Sequence, residues 1–459
     1  MERYNVYPEY RSWENNWIRE LPKSWQIAAL KHLCLNFVKD GPHETPKFLD
    51  SGIPFLSVDG IQDNKLVFEG CRYISKEDHK RYSMKCLPKK GDVLLGKAAS
   101  VGKVAYVDTD MSFNVWSPLA VITAKSNHLG RYIYYCLQSK MLQAQCEVFS
   151  NSNTQKNLGM STIDNLDFPY PSEFEAKCIT KFLDHETAKI DGLINKQQQL
   201  IKLLKEKRQA VISHAVTKGL NSDAPMKDSG IEWLGEVPGH WNIKRLRYLG
   251  FCQNGINIGA EYFGSGYPFL SYGDAYKNEE LPEYGSGLVE STEQDRKVYS
   301  VVAGDVIFTR TSETVEEIGF SSTCLKTIED ATFAGFLIRF RPKSNVLDSG
   351  FSKYYFRNIL MRTFFIKEMN LVTRASLSQD LLKKLPVTLP PLDEQALIAE
   401  FLDEKSAVFE KLTENAESAI ELMKERRTAL ISAAVTGDID VRKWQASANQ
   451  DAQHQEAGE

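Results

Sequence analysis

Between residues 182 and 219, positions recur at alternating steps of four and three: Leu183, Thr187, Ile190, Ile194, Gln197, Ile201, Leu204, Arg208, Val211 and Ala215. The spacing returns 219 positions later at Leu402, Ser406, Phe409, Thr413, Ala416, Ile420, Met423, Arg427, Leu430 and Ala434. A stripe of this kind is a heptad seam, which keeps to one side of a helix and asks for a helical partner. Neither stretch has an internal proline, and Gly192 is the only glycine before the ends. Each therefore predicts about 40 residues of helix, roughly 60 Å long at 1.5 Å per residue. FLDHETAKIDGLINKQQQLIKLLKEKRQAVISHAVTKG and FLDEKSAVFEKLTENAESAIELMKERRTALISAAVTGD align without a gap, so the expected partner of each seam is the other copy.

The duplication extends upstream of both helices. Trp17–Leu33 and Trp233–Leu249 share a W, four residues, P, two residues, W frame, which predicts an aromatic clamp where the chain enters each repeat. GIPFLSVDGI (52–61) matches GYPFLSYGDA (266–275), and both read as short turn-bounded strands. KKGDVLLGKAASVGKVAYV (89–107) matches VAGDVIFTRTSETVEEIGFSS (302–322): a Gly-Asp turn, an apolar strand, then Lys97 or Arg310 entering a small-residue loop. After a helical segment comes a polar stretch, SNSNTQKNLGMSTI or NLVTRASLSQDLL, and then a proline-rich turn into the long helix. Glu175 and Glu394 stand near the helix starts, where the dipole favours a carboxylate. The chain ends in an acidic, glutamine-rich stretch, Gln445 to Glu459, of disordered composition.

At 459 residues the chain is too long for a single core. No apolar run approaches a membrane span and MERYNVYPEYRSWENN has no signal-peptide core, so a cytoplasmic location with no membrane partner is expected. The eight cysteines form no CxxC pair and suggest reduced thiols, with no metal site indicated. A net charge of -4 does not announce a nucleic-acid binder, but from Asn195 to Lys218 five lysines and one arginine face a single glutamate. A local basic face binds phosphate even on an acidic protein, and it also fits a solvated helix face.

Catalytic chemistry is not apparent. GKAASVGK (96–103) has its second glycine one place too late for a phosphate-binding loop, and Val104 stands where a magnesium-binding hydroxyl is needed. DFPY (167–170) resembles an adenine methyltransferase motif, yet its counterpart is PVTL and no cofactor-binding glycine loop precedes it. Two polar, cation-bearing loops per repeat are left. Lys97 and Ser100, with Asn153, Thr154, Gln155, Lys156 and Asn157, serve the first; Arg310, Thr311 and Ser312, with Thr373 and Arg374, serve the second. These side-chain types reach phosphates and base edges.

The repeated FLD…ID.LI…LL.EKR.A.IS.AVT helix, the W….P..W entries, the GDV-strand-cation segments and the NTQKNL loop resemble, over nearly the whole chain, the specificity subunit of type I restriction-modification systems. The resemblance implies an α+β fold: two mixed α/β target recognition domains joined by two long antiparallel coiled-coil helices, with an internal pseudo-twofold repeat. The expected boundaries are 1–170 for the first domain, 171–226 for the first long helix and spacer, 227–389 for the second domain, 390–442 for the second long helix and 443–459 for a disordered tail. It further implies a non-catalytic subunit that reads an asymmetric, bipartite site on double-stranded DNA. Two modification (methyltransferase) subunits would dock on it and restriction subunits would join the complex. S-adenosylmethionine would then belong to the modification subunit, and ATP and magnesium to the restriction subunit, with no cofactor in this chain. Ile190, Ile194, Ile201, Leu204, Arg208, Phe409, Ile420, Met423 and Arg427 would form the seam and spacer, the two arginines being candidates for setting register. From the residues alone, a non-enzymatic structural adaptor whose duplicated heads bind protein or polysaccharide is the alternative.

Overall fold

In the computed structural model, residues 4–150, 156–312, 318–368 and 375–445 are described; Asn153, Thr154, Gln155, Thr373, Arg374 and the tail beyond Gln445 lie outside them. The chain divides into two compact units, residues 1–197 with 418–459 and residues 198–417. The long helices run Glu173–Lys218 and Leu392–Thr436, so each contributes one half to each unit. The first unit is therefore assembled from two separated stretches of the chain, and the second is the continuous stretch between them.

In the first unit a four-stranded antiparallel sheet orders its strands Val104–Tyr106, Val93–Gly96, Leu119–Ile122 and Lys39–Asp40. Side chains alternate across a strand. Val93, Leu95, Ala120 and Ile122 therefore enter one core with Tyr132, Ile133 and Cys136 of the helix Asn127–Gln138, while Leu94, Leu119 and Val121 enter another with Leu56 and Phe113. Burial on both faces explains why VLL and LAVI read as unbroken apolar runs. Ile53–Leu56 pairs antiparallel with Arg72–Ile74 and parallel with Asn114–Val115. Ser126 starts the helix by accepting the Leu129 N–H at 3.3 Å.

The second unit repeats this topology. Its sheet runs Ser321–Thr323, Val306–Thr309, Leu337–Pro342, Gly250–Asn254, and Phe263–Leu270 lies antiparallel to Gly287–Val289 and parallel to Thr332–Phe333. Val306, Phe308, Ile338 and Phe340 face one core, Ile307 and Leu337 the other. Asp348 caps the helix Ser349–Arg357.

Ile179, Phe182 and Leu183, from the start of the first long helix, share a core with Ile431, Ala434 and Val435 from the end of the second. In the other unit Ile212, Ala215 and Val216 share one with Ile398 and Leu402. Start meets end in both units, so the pairing is antiparallel, and every seam position from Leu183 to Ala215 and from Leu402 to Ala434 is buried or half-buried. The W….P..W frames close these junctions: the buried Trp25 donates Nε1–H to Glu175 Oε1 at 3.2 Å, and Trp241 donates to Glu394 Oε1 at 3.1 Å. Glu175 also forms a capping box with Ser172, whose hydroxyl donates to Oε2 at 2.8 Å and accepts the Glu175 N–H at 3.2 Å. These glutamates anchor tryptophans, a role beyond the helix-dipole preference.

The seam arginines tie the helices to the heads. Arg427 donates Nε–H to Asp191 Oδ1 at 3.0 Å and Nη1–H to Gln138 Oε1 at 2.9 Å. Arg208 donates Nη2–H to Glu279 Oε2 at 3.0 Å and lies 3.6 Å from Glu410. Tyr135 and Tyr354 add hydroxyl bonds to Asp184 and Asp403 at 2.6 and 2.7 Å. Arg427→Ala strips two charge-assisted bonds from a side chain only 13% exposed. Its expected cost is about 2 kcal/mol, measured as a lower denaturation midpoint; an unchanged midpoint would show that the arginine only fills space.

Candidate nucleic-acid interface

The strand Val93–Gly96 ends at Lys97, whose backbone N–H donates to Pro118 O at 2.9 Å. The Lys97 carbonyl accepts the Leu158 N–H at 2.7 Å, and Ala98 and Asn157 form a β-bridge beside it. In the second head Val306–Thr309 ends at Arg310, whose N–H donates to Phe336 O at 3.0 Å and whose carbonyl accepts the Leu377 N–H at 2.7 Å. Thr311–Ser312 then pairs with Ala375–Ser376. One backbone bond thus joins the cation-bearing loop to the polar segment in both heads.

The side chains differ between the heads. Lys97 is buried, with Nζ 3.3 Å from Asp40 Oδ2. Asp40 is also buried and accepts from Lys85 Nζ at 2.6 Å through Oδ1, with His43 Nε2 3.2 Å from Oδ2. Burial alone pushes the Asp40 carboxyl up, but the hydrogen bond and charge of Lys85 and the charge of Lys97 outweigh it and hold the group below the usual carboxylate range. Ser100 is half-buried, and its N–H donates to Ala98 O at 2.8 Å. Lys156 is exposed and paired with Glu147, and Asn157 is exposed. Arg310 is half-buried with no hydrogen-bond or ion-pair partner for its guanidinium among the described residues, and Thr311 is exposed. The Ser312 side chain falls outside the described residues.

Asp40 and Lys85, and in the second head Asn254 and Gln379, whose side-chain amides approach to 3.0 Å, were absent from the sequence-based site. The signal for two of them was present: Asp40-Gly41 and Asn254-Gly255 are turn dipeptides at matching places, which mark close backbone passages. Lys85 and Gln379 had none, because their relevance comes only from the partner that folding brings to them. Among the described residues no group of three or more His, Cys, Asp or Glu is placed to hold a metal ion, and no helix is long and apolar enough to cross a membrane.

A family model described as the type I restriction modification DNA specificity domain matches twice, over residues 22–203 and 241–422, and the chain belongs to this family. The two matches are offset by the same 219 positions as the helices. The type I restriction enzyme EcoKI specificity subunit of Escherichia coli K12 is 22% identical over 452 residues, covering 93% of this chain and 91% of that protein. The MjaIX specificity subunit of Methanocaldococcus jannaschii is 23% identical over 445 residues, covering 93% and 96%. A solved structure from work on assembly and conformational transition of the type I R-M system superposes with a TM-score of 0.62 at 15% identity, covering 91% of this chain and 99% of that one; the likeness establishes a shared fold.

Proposed function

We propose that this chain is the DNA reader of a type I restriction-modification complex, each head reading one half of an asymmetric, bipartite site while the long helices set the distance between the halves. The observation that carries the reading is the repeated junction, Lys97 to Leu158 and Arg310 to Leu377, built by the same backbone bond but furnished with different side chains. A common frame with unlike polar contents suits recognition of two unlike sequences. A unit repeated within one chain suits paired half-sites about one turn of DNA apart.

The same reading places the modification subunits on the helices. Leu193, Lys196, Leu200, Leu203 and Lys207 are all exposed and again step by three and four; exposed Leu412, Asn415, Leu422 and Arg426, with half-buried Ala419, repeat that spacing. A helix with two seams suits a bundle of more than two helices. Helices of the modification subunits are the proposed occupants, with restriction subunits joining that core. Lys196 and Lys207 fall within this stripe, which favours docking over DNA contact for those two members of the basic run.

The test is retention of DNA by the chain assembled with its modification subunits, followed by sequencing of methylated positions. The expected result is one bipartite sequence with two different half-sites. Retention without sequence preference, or a protein or polysaccharide ligand taken in place of DNA, would favour the adaptor reading.

A further inference from the structure

A glycine crosses the end of a parallel strand in each head with no room for a side chain. A Cβ on Gly41 would lie 1.8 Å from Val115 O, and one on Gly255 would lie 2.2 Å from both Phe333 O and Ala334 O. This crossing fixes the preceding residue at the end of the sheet's edge strand. Asp40 stands opposite Ala120 and Asn254 opposite Ile338, each facing the second residue of the neighbouring strand. The two positions are equivalent, but their contents are not. Asp40 gathers Lys85 and Lys97, and Lys85 also donates to Gly41 O at 2.7 Å. Asn254 meets a neutral amide: the side chain of Gln379, two residues beyond the Leu377 that binds Arg310, accepts the Asn254 backbone N–H at 3.2 Å and donates to Cys252 O at 3.0 Å, with its oxygen 3.0 Å from Asn254 Oδ1.

Resting on the reading of the heads as DNA readers, we propose that the residue before the crossing glycine sets how selectively each head reads its half-site, with Asp40 a positioning residue that keeps Lys97 and Lys85 from binding DNA backbone indiscriminately. A lysine ammonium is a point charge that any phosphate satisfies. A buried carboxylate shared by two such lysines cancels one of their two charges and holds both ammoniums to fixed oxygens, weakening contacts with a wrongly placed phosphate and ordering the right ones. Among the described residues, the second head has no lysine pair on Asn254 to restrain. Two neutral amides there offer donors and acceptors matched to base edges and add no charge.

The experiment uses the full chain in complex with its modification subunits and measures DNA retention across a salt series, with methylation of duplexes altered singly in either half-site. Asp40→Asn is expected to steepen the slope of log affinity against log salt by about one, as each added phosphate contact contributes about 0.9. It should also lower discrimination at one half-site on the order of ten-fold while leaving the other unchanged. Asp40→Glu should restore both. A folded Asp40→Asn complex with wild-type slope and discrimination would overturn the inference, because a purely structural carboxylate would move neither. Should that variant fail to fold, Asn254→Asp provides the reciprocal change; it is expected to make the salt slope shallower and to alter selectivity only at the half-site read through Arg310, and wild-type behaviour would overturn the proposal equally. A wild-type complex without bipartite selectivity would defeat the underlying reading instead.

Discussion

Replacing Arg310 with alanine is expected to lower discrimination at one half-site by ten- to a hundred-fold and to leave the other half-site untouched. A guanidinium committed to a base edge contributes about 1–3 kcal/mol of discrimination. Arg310 is suited to that commitment: its backbone is held on both sides, by Phe336 and Leu377, while its side chain has no competing partner among the described residues. Truncating it leaves no buried carboxylate unpaired, so fold stability should change little. Lys97→Ala is the contrasting case, since it removes one of two lysines from the buried Asp40 and should cost both stability and selectivity at the opposite half-site. Methylation rates on duplexes with single changes in either half would check this. An equal loss at both halves on replacing Arg310 would reject two independent readers.

The helices were legible because a heptad seam is a local signal: knowing that Leu183, Thr187 and Ile190 share a face requires only residues three and four apart. The heads were legible as strand-loop units for the same reason, from GDVLLGK and GDVIFTR. What the sequence did not carry was partner choice across distance. Nothing near Lys97 announces Asp40, which lies more than fifty positions earlier and reaches it through a strand order that pairs Lys39–Asp40 with Leu119–Ile122. The cation expected to be available at the loop is consequently buried in an ion pair. Nor does periodicity say that the start of the first long helix packs with the end of the second, so that Arg427 finds Asp191 and Gln138. Glu175 shows the same limit, since its position at a helix start gave a sufficient local account that concealed its bond to Trp25.

Deleting one heptad from the first long helix, Gln197 to Leu203, together with seven residues of the second, Glu414 to Ile420, is expected to shorten the spacer between half-sites by about three base pairs, since seven helical residues span about 10.5 Å and DNA rises about 3.4 Å per pair. Arg427 bonds Asp191 in the first unit and Arg208 lies by Glu410 in the second, and both contacts fall outside the deleted segments. Removing a whole heptad from each chain direction keeps the remaining seam residues on their original faces, whereas removing five or six would rotate them out of the interface. Both heads retain their loops, so each half-site sequence should stay the same. Sequencing of methylated sites from a complex carrying the shortened helices would show two familiar half-sites at a new distance. An unaltered spacer in a folded, DNA-retaining complex would mean that the distance is measured elsewhere, in the subunits that dock on the helices, and the seam would then be only the joint that holds the two heads in one chain.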